Sequence, residues 1–228
     1  SVPQILGGVL VQPATREVVR GYLEAGLAAP DDLTTLAHIM PMPPLPFAPE
    51  AWVGKPVVLT LVTWSGDIEA GQEALAPLRA LAEPVAEMIA PMPYPAMYAF
   101  TDQNTLPHGA SIRMMFADDL SDHAIDTMVD AVHHASSEMS IIQLRAMGGA
   151  FGRVPNDATA FAHRDRNYFV SIINVWFDPT QDRSQHEAWT EALWATIRPE
   201  GKGVYVNFLE QEGEDRVHEA YPAGTYER

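Results

Sequence analysis

The order of the apolar segments is the feature that most constrains this fold. Seven stretches rich in apolar and β-branched residues are typical of strands, at residues 5–11, 33–40, 56–64, 111–116, 140–147, 168–177 and 203–209. Five segments have helical spacing, at residues 14–28, 68–82, 122–132, 184–197 and 215–221. Strands that follow one another with no helix between them exclude a strict βαβ sheet. The sequence therefore predicts an α+β fold, a single antiparallel sheet of about seven strands with helices covering one face.

Local signals refine this prediction. Gly7 and Gly8 interrupt the first strand and indicate a bulge or a close approach of another backbone. Asp67 and Ser121 stand where a helix needs an N-cap. The segment 41–49 has five prolines in nine residues and predicts an extended loop, and 84–95 predicts a loop with helical turns. No linker separates two cores, so one domain spanning residues 1–228 is expected.

Composition excludes several function classes. The formal charge is −16, from 30 acidic against 14 basic residues. This charge disfavours binding to nucleic acid and to anionic membranes, because proteins bind both mainly through Lys and Arg. Cysteine is absent, so disulfides, thiolate metal sites and cysteine nucleophiles are excluded. No apolar run is long enough to span a membrane and no leader-like segment opens the sequence. We expect a soluble, cytoplasmic protein.

Several motifs fit ordinary structural roles. The cluster 148–152 (GGAFG) lacks the Lys-Ser/Thr of a phosphate loop and predicts a turn after a strand. His133 and His134 are adjacent on a predicted helix and diverge by about 100°, so they cannot chelate together and no metal site is predicted. The loops are rich in methionine, which either fills irregular core space or lines an adaptable pocket for a flat apolar ligand. These methionines are Met40, Met42, Met88, Met92 and Met97.

Two segments contain the candidate site residues. Tyr205 and Asn207 alternate on the last predicted strand, so they share a face and could hydrogen-bond a ligand; an outward, solvated face is the alternative. His163 and Arg164 end a short, partly apolar stretch before the longest strand. The structural alternative is that His163 is a half-buried histidine with its hydrogen bonds satisfied and that Arg164 is a surface cation.

Read in order, these segments resemble the C-terminal half of the berberine-bridge-enzyme-like FAD-linked oxidases, in the vanillyl-alcohol-oxidase type of flavoprotein. The similar stretches are the glycine pair 148–149, the segment 154–164 (VPNDATAFAHR), the strand ending at Trp176, the helix with Trp189 and the segment 203–208 (GVYVNF). Similar stretches also lie at 213–221, at Tyr226, at 91–94 and in the first strand with its helix. The order and spacing of these segments carry the resemblance, because none is diagnostic alone.

The resemblance implies a substrate-binding domain in which the sheet face without helices covers a flavin. FAD would lie in a separate domain, encoded before Ser1 and after Arg228, so we expect this chain alone not to hold FAD tightly. The resemblance also implies that Tyr205 and Asn207 lie near flavin and substrate, with Asn174, His163 and Arg164 facing them. Some members carry an acidic base on the strand before the tryptophan. The strand 171–176 (SIINVW) has no carboxylate. Either Tyr205 takes that role as the candidate catalytic residue, or this member uses different chemistry.

The sequence thus predicts the substrate-binding domain of an FAD-dependent oxidoreductase that oxidises an alcohol, sugar or phenolic substrate by hydride transfer. Its partners would be the missing flavin-binding domain and a small-molecule substrate, and the isolated fragment would be inactive. The alternative is a stand-alone module that binds small molecules or forms a homodimer through its exposed sheet face. A third hypothesis is a hydrolase with a site around His163.

Overall fold

One antiparallel sheet organises the molecule. The computed structural model describes residues 4–100, 108–178, 180, 182–209, 213–221 and 226. The strands are β1 Gln4–Pro13, β2 Leu33–Pro41, β3 Pro56–Trp64, β4 Ala86–Pro93, β5 Gly109–Ala117, β6 Met139–Ala146 and β7 Tyr168–Trp176. They lie in the order β4-β1-β3-β2-β6-β7-β5, and every paired neighbour is antiparallel. The predicted α+β class is confirmed.

Helices pack on one face of this sheet. This layer contains α1 Arg16–Leu27, α2 Ile68–Ala74, α3 Ala76–Arg79, α4 Asp122–His133 and α6 Ser184–Ile197. The short helices α5 Gly149–Gly152 and α7 Glu214–Ala220 are not part of it, and Ala220 of α7 packs with Met114, Phe116 and Phe169 on the opposite face. The main core lies between the sheet and α1, α4 and α6, where Leu23, Ile125 and Ile197 are fully buried. Each such side chain contributes about 1.5–3 kcal/mol of transfer free energy.

The predicted helix caps are confirmed. The Asp67 side chain accepts hydrogen bonds from the backbone N–H groups of the first turn of α2, and Ser121 accepts one from Ala124 at the start of α4. The predicted helix 68–82 is divided into α2 and α3. Pro77, near the start of α3, has no N–H to donate to the preceding turn, which explains the break.

Strand membership differs from the prediction at two places. The segment 86–93, predicted as a loop, is the edge strand β4, where prolines are tolerated because they need no ladder hydrogen bond on the outer side. The predicted last strand 203–209 is wrong. Residues 201–205 run beside β5 through hydrogen bonds to Phe116, and Val206–Phe208 is a 3-10 turn.

Gly8 explains how β4 and β1 meet. Its φ is +147°, and a Cβ added there would overlap the carbonyl oxygen of Met88 on β4. The close backbone approach predicted from the glycine pair is confirmed.

The face opposite the helices is partly covered by the chain itself. At one end, the loop after β2 places Met42, Phe47 and Trp52 against Val57 and other apolar strand residues. At the other end, Val204, Tyr205 and Leu209 are among the residues that pack on Met114, Phe116 and Phe169. The bare apolar face expected from the sequence is therefore reduced to a central strip. Within the described ranges, no helix combines the length and hydropathy needed to cross a bilayer.

Candidate functional site

The central strip of the uncovered face is polar. Strand alternation places His38 of β2 and Gln143 and Arg145 of β6 on the face opposite the helices, because their neighbours Ile39, Ile142 and Leu144 belong to the helix-side core. His38 and Gln143 are direct cross-strand partners. All three polar residues are half-buried. The strip separates the two apolar clusters that cover the ends of this face.

A directed chain of hydrogen bonds joins these three side chains. Arg145 Nε donates to Gln143 Oε1 at 3.1 Å, and Gln143 Nε2 lies 3.0 Å from His38 Nε2. An amide nitrogen only donates, so His38 Nε2 is the acceptor and the imidazole is neutral. Burial, aided by the nearby Arg145 charge, lowers the pKa of His38 to about 4, which agrees with that neutral form.

Arg145 is unusual among the strand residues. The seven strands contain only three Asp, Glu, Lys or Arg residues, and two of them, Glu87 and Arg113, form ion pairs with Arg79 and Glu191. Arg145 forms no ion pair with any residue that the structure describes; its guanidinium carbon lies 5.5 Å from the ring centre of Phe169. Burial lowers the pKa of Arg145, so its charge is held at a desolvation cost.

An aromatic cavity adjoins the strip. Its volume is about 200 Å³, and Tyr94 and Tyr98 form its outer wall, 55% and 62% exposed, with ring centres 6.3 Å apart in an edge-on arrangement. The remaining lining comes from Thr34, Thr35, Leu36, Leu61, Thr63 and Met97. Met97 thus lines a pocket while Met40 and Met42 fill core space, so the methionines take both of the roles considered from the sequence.

The predicted residues Tyr205 and Asn207 border a second cavity of about 240 Å³. They lie together because of a 3-10 turn, and Asn207 Nδ2 donates to Tyr205 Oη at 2.6 Å. The Tyr205 ring packs 5.5 Å from the rings of Phe161 and Phe208. The structure brings this pair to the same cavity as Phe161 and His163, at the end of the sheet near β5.

His163 is a packing residue in this structure. It is 5% exposed, its ring stacks on Phe116 at 4.9 Å, and its Nε2–H donates to the Glu219 carbonyl at 3.0 Å. Gly203, at φ +142°, makes room for the ring, since a Cβ there would overlap it. Burial lowers the pKa of His163, which is therefore neutral near pH 7. These contacts agree with the alternative considered from the sequence, in which His163 is a structural residue with its hydrogen bonds satisfied within the fold.

The Arg164 side chain is held by contacts with nearby residues of its own loop. Its guanidinium lies over the rings of Phe151 and Phe161, at 4.9 and 5.4 Å, and it donates to Thr159 Oγ1 at 3.1 Å. These contacts stabilise the loop 151–164, which supports the cavity beside Tyr205.

Asn174 lies on the helix side of the sheet, which corrects its assignment as a substrate-facing residue. It is fully buried, and its amide nitrogen donates to Ser136 and Ser140 at 2.7 and 3.0 Å. Ser137 Oγ donates to its carbonyl oxygen at 3.2 Å. Even-numbered residues of β7 point to the helices, so Asn174 cannot share a face with Ser171 or Phe169.

A third cavity lies elsewhere. It measures about 360 Å³ and lies beside β5, where Arg198 and Arg216 both pair with Glu219. The Glu219 carboxylate is shared by the two arginines, and none of the predicted site residues lines this cavity. The polar strip and the Tyr205 cavity are therefore the better candidate site.

Sequence reasoning missed His38, Gln143 and Arg145. One signal was available, because Gln143 and Arg145 are two residues apart in a predicted strand and must share a face. The pairing of that strand with His38 of β2 required the sheet order.

Comparison with known proteins extends this picture. No protein-family model matches the chain. An uncharacterized FAD-linked oxidoreductase of Bacillus subtilis, YgaK, is 36% identical over 93 residues, which are 41% of this chain and 20% of that protein. The chain thus matches only about a fifth of that relative's length.

Solved structures match nearly the whole chain. BBE-like 28 of Arabidopsis thaliana superposes with a TM-score of 0.76 at 13% identity, over 98% of this chain and 51% of that one. GilR, an oxidoreductase solved with pregilvocarcin, superposes with a TM-score of 0.78 at 15% identity, over 98% of this chain and 52% of its own. The chain spans about half the length of these proteins. The resemblance expected from the sequence is thus confirmed: the chain has the fold of one half of the berberine-bridge-enzyme-like FAD-linked oxidases.

Proposed function

We propose that the chain is the substrate-binding domain of an FAD-dependent oxidoreductase that oxidises an alcohol, sugar or phenolic substrate. The observation that carries this proposal is the uncovered sheet face, where a polar strip and two aromatic-walled cavities lie opposite the helix layer. Small-molecule sites combine apolar walls with a few placed polar groups, as this face does. The FAD-linked relative and the fold support the redox class.

The residues present fit a flat ring system held above the face. The aromatic groups Tyr205, Phe208 and Phe161 cluster at one end, and Tyr94 and Tyr98 at the other. Bound flavin would supply the hydride acceptor, while this chain binds and orients the substrate. The chain contributes one wall of such a site, because its cavities of 200 to 360 Å³ are open to solvent.

Tyr205 is the proposed proton acceptor for the substrate hydroxyl. Strands β5, β6 and β7 contain no Asp or Glu that could act as a base. Asn207 donates to the Tyr205 oxygen at 2.6 Å, a hydrogen bond that fixes the position of this oxygen at the cavity. Oxidation then removes a hydride from carbon and a proton from oxygen, and only the proton is transferred to this chain.

The test is to express the chain together with the coding sequence on both sides of it. We expect the longer product to bind flavin, shown by visible absorbance, and an alcohol or phenolic substrate to bleach it without oxygen. Tyr205→Phe should slow that bleaching by about 10²–10⁴-fold, the usual size of a proton-transfer contribution. A longer product that binds no flavin would contradict the proposed class.

The binding or dimerisation module remains the rival hypothesis. It predicts a dimer of the 228-residue chain that Tyr205→Arg disrupts, detectable by sedimentation. The oxidoreductase proposal predicts the same sedimentation for both proteins.

A further inference from the structure

We propose that Arg145 binds a carboxylate on the substrate, so that the substrate is a flat molecule with an acidic group. This inference rests on the proposed function for its site, the sheet face, and adds the chemical class of the ligand. It depends on the neighbourhood of Arg145, the polarity of its hydrogen bonds and the adjoining aromatic cavity.

No residue that the structure describes supplies a counter-charge to Arg145. In a chain of net charge −16, most arginines of the described part pair with Asp or Glu at the surface, as Arg153 does with Asp31. Arg145 is half-buried, lies on a central strand and contacts Phe169 and Gln143 instead. Its pKa is lowered by burial, which an anion at the guanidinium would offset.

The hydrogen bonds of Arg145 leave the two terminal nitrogens of its guanidinium available to a ligand. Only Nε is used, in the bond to Gln143 Oε1, and the two terminal nitrogens make no hydrogen bond to any described residue. Neither terminal nitrogen is a buried unpartnered atom, so both reach solvent over the sheet face. This planar pair of donors matches the two oxygens of a carboxylate.

Gln143 and His38 hold that geometry. The neutral imidazole accepts from the Gln143 amide, which fixes the amide so that its oxygen faces Arg145. A protonated histidine could not accept this bond, so the depressed basicity of His38 maintains the orientation of the guanidinium. His38 and Gln143 are positioning residues in this arrangement.

The aromatic cavity lies beside the charge. The register that pairs Ala37 with Leu144, continued by one residue, aligns Leu36 with Arg145 on the same face, and Leu36 also lines the cavity with Tyr94 and Tyr98. Cross-strand neighbours have Cβ atoms about 4.5–5.5 Å apart. A ring held between Leu36 and the tyrosines would therefore place a substituent carboxylate at Arg145. One guanidinium balances one carboxylate, whereas a phosphate dianion would call for a second cation.

The test compares 4-methoxybenzoate with the neutral 4-methoxybenzamide, two probes of nearly equal shape. Binding to the 228-residue chain is measured by ligand-observed NMR. We expect the benzoate to bind at least about 10-fold more tightly than the amide, in line with a charge-assisted pair. Arg145→Met should abolish that difference by weakening the benzoate alone, and Gln143→Leu should reduce it.

Arg153→Met is the matched control, because it removes one exposed arginine from the same chain; it should leave both affinities unchanged. Equal binding of the two probes to the natural chain would overturn the inference. The Arg145→Met chain must first be shown to be folded by circular dichroism. If it then binds the benzoate as tightly as the natural chain, or loses binding of both probes, the inference is also overturned. The flavin experiment is independent: flavin reduction by neutral substrates alone would refute the carboxylate while leaving the oxidoreductase proposal intact.

Discussion

Replacing Asn174 by leucine should destabilise the chain even though the two side chains have similar volume. The substitution removes three hydrogen bonds of 2.7, 3.0 and 3.2 Å in a fully buried site. Ser140 Oγ still accepts from the Ser137 N–H, and Ser136 Oγ stays 3.1 Å from His186 Nδ1. Ser137 Oγ still accepts from the Met139 N–H, so all three hydroxyls keep a partner. The expected loss is therefore about 2–3 kcal/mol, near the sum of three net hydrogen bonds.

Urea unfolding followed by far-UV circular dichroism measures this loss. With a slope of about 3 kcal/mol/M, the midpoint should fall by roughly 1 M. Asn207→Leu is the control, since Asn207 is exposed and a surface change costs less than about 0.5 kcal/mol. Equal midpoints for the natural chain and Asn174→Leu would refute the assignment of Asn174 to a buried structural network.

Three further outcomes are expected. Gly203→Ala should cost about 2–4 kcal/mol of unfolding free energy, because its Cβ would overlap the His163 ring at φ +142°; Gly148→Ala, with open space around it, should be neutral in the same urea experiment. His38 binds its proton near pH 4 when folded and near 6.5 when unfolded, so the unfolded state binds more protons in that window. Stability should therefore fall by about 2–3 kcal/mol as pH drops from 6.5 to 4, a fall that His38→Gln reduces and that an NMR titration of the imidazole locates. Ser121→Ala should lower stability by about 1 kcal/mol by removing the cap of α4, and an unchanged midpoint would contradict that role.

Periodicity predicted most of the elements correctly because it reports which side chains a segment must bury. It failed at β4, since the two prolines of 86–93 disfavour a strand unless the strand lies at an edge. It failed also at 203–209, where alternation of Val204, Val206 and Phe208 is compatible with a strand. In the structure that segment leaves the sheet after Tyr205.

The residues predicted for the site lie in different surroundings in the structure. Tyr205 and Asn207 do lie together at a cavity, although a 3-10 turn and not strand alternation joins them. Asn174 was assigned to the wrong face, because alternation alone does not say which set of a strand's residues meets the helices. His163 was predicted with an open alternative, and its stacking on Phe116 decides for packing.

The sequence by itself determined the α+β class, the caps of α2 and α4, the acidic and cysteine-free character and the family resemblance, since each depends on local pattern or residue order. The tertiary structure decided the grouping of His38, Gln143 and Arg145. His38 lies about a hundred positions before Gln143 and Arg145 in the chain, and only the pairing of β2 with β6 makes it their neighbour. Strand order is set by how all seven strands bury their apolar faces together, and no single segment contains that information.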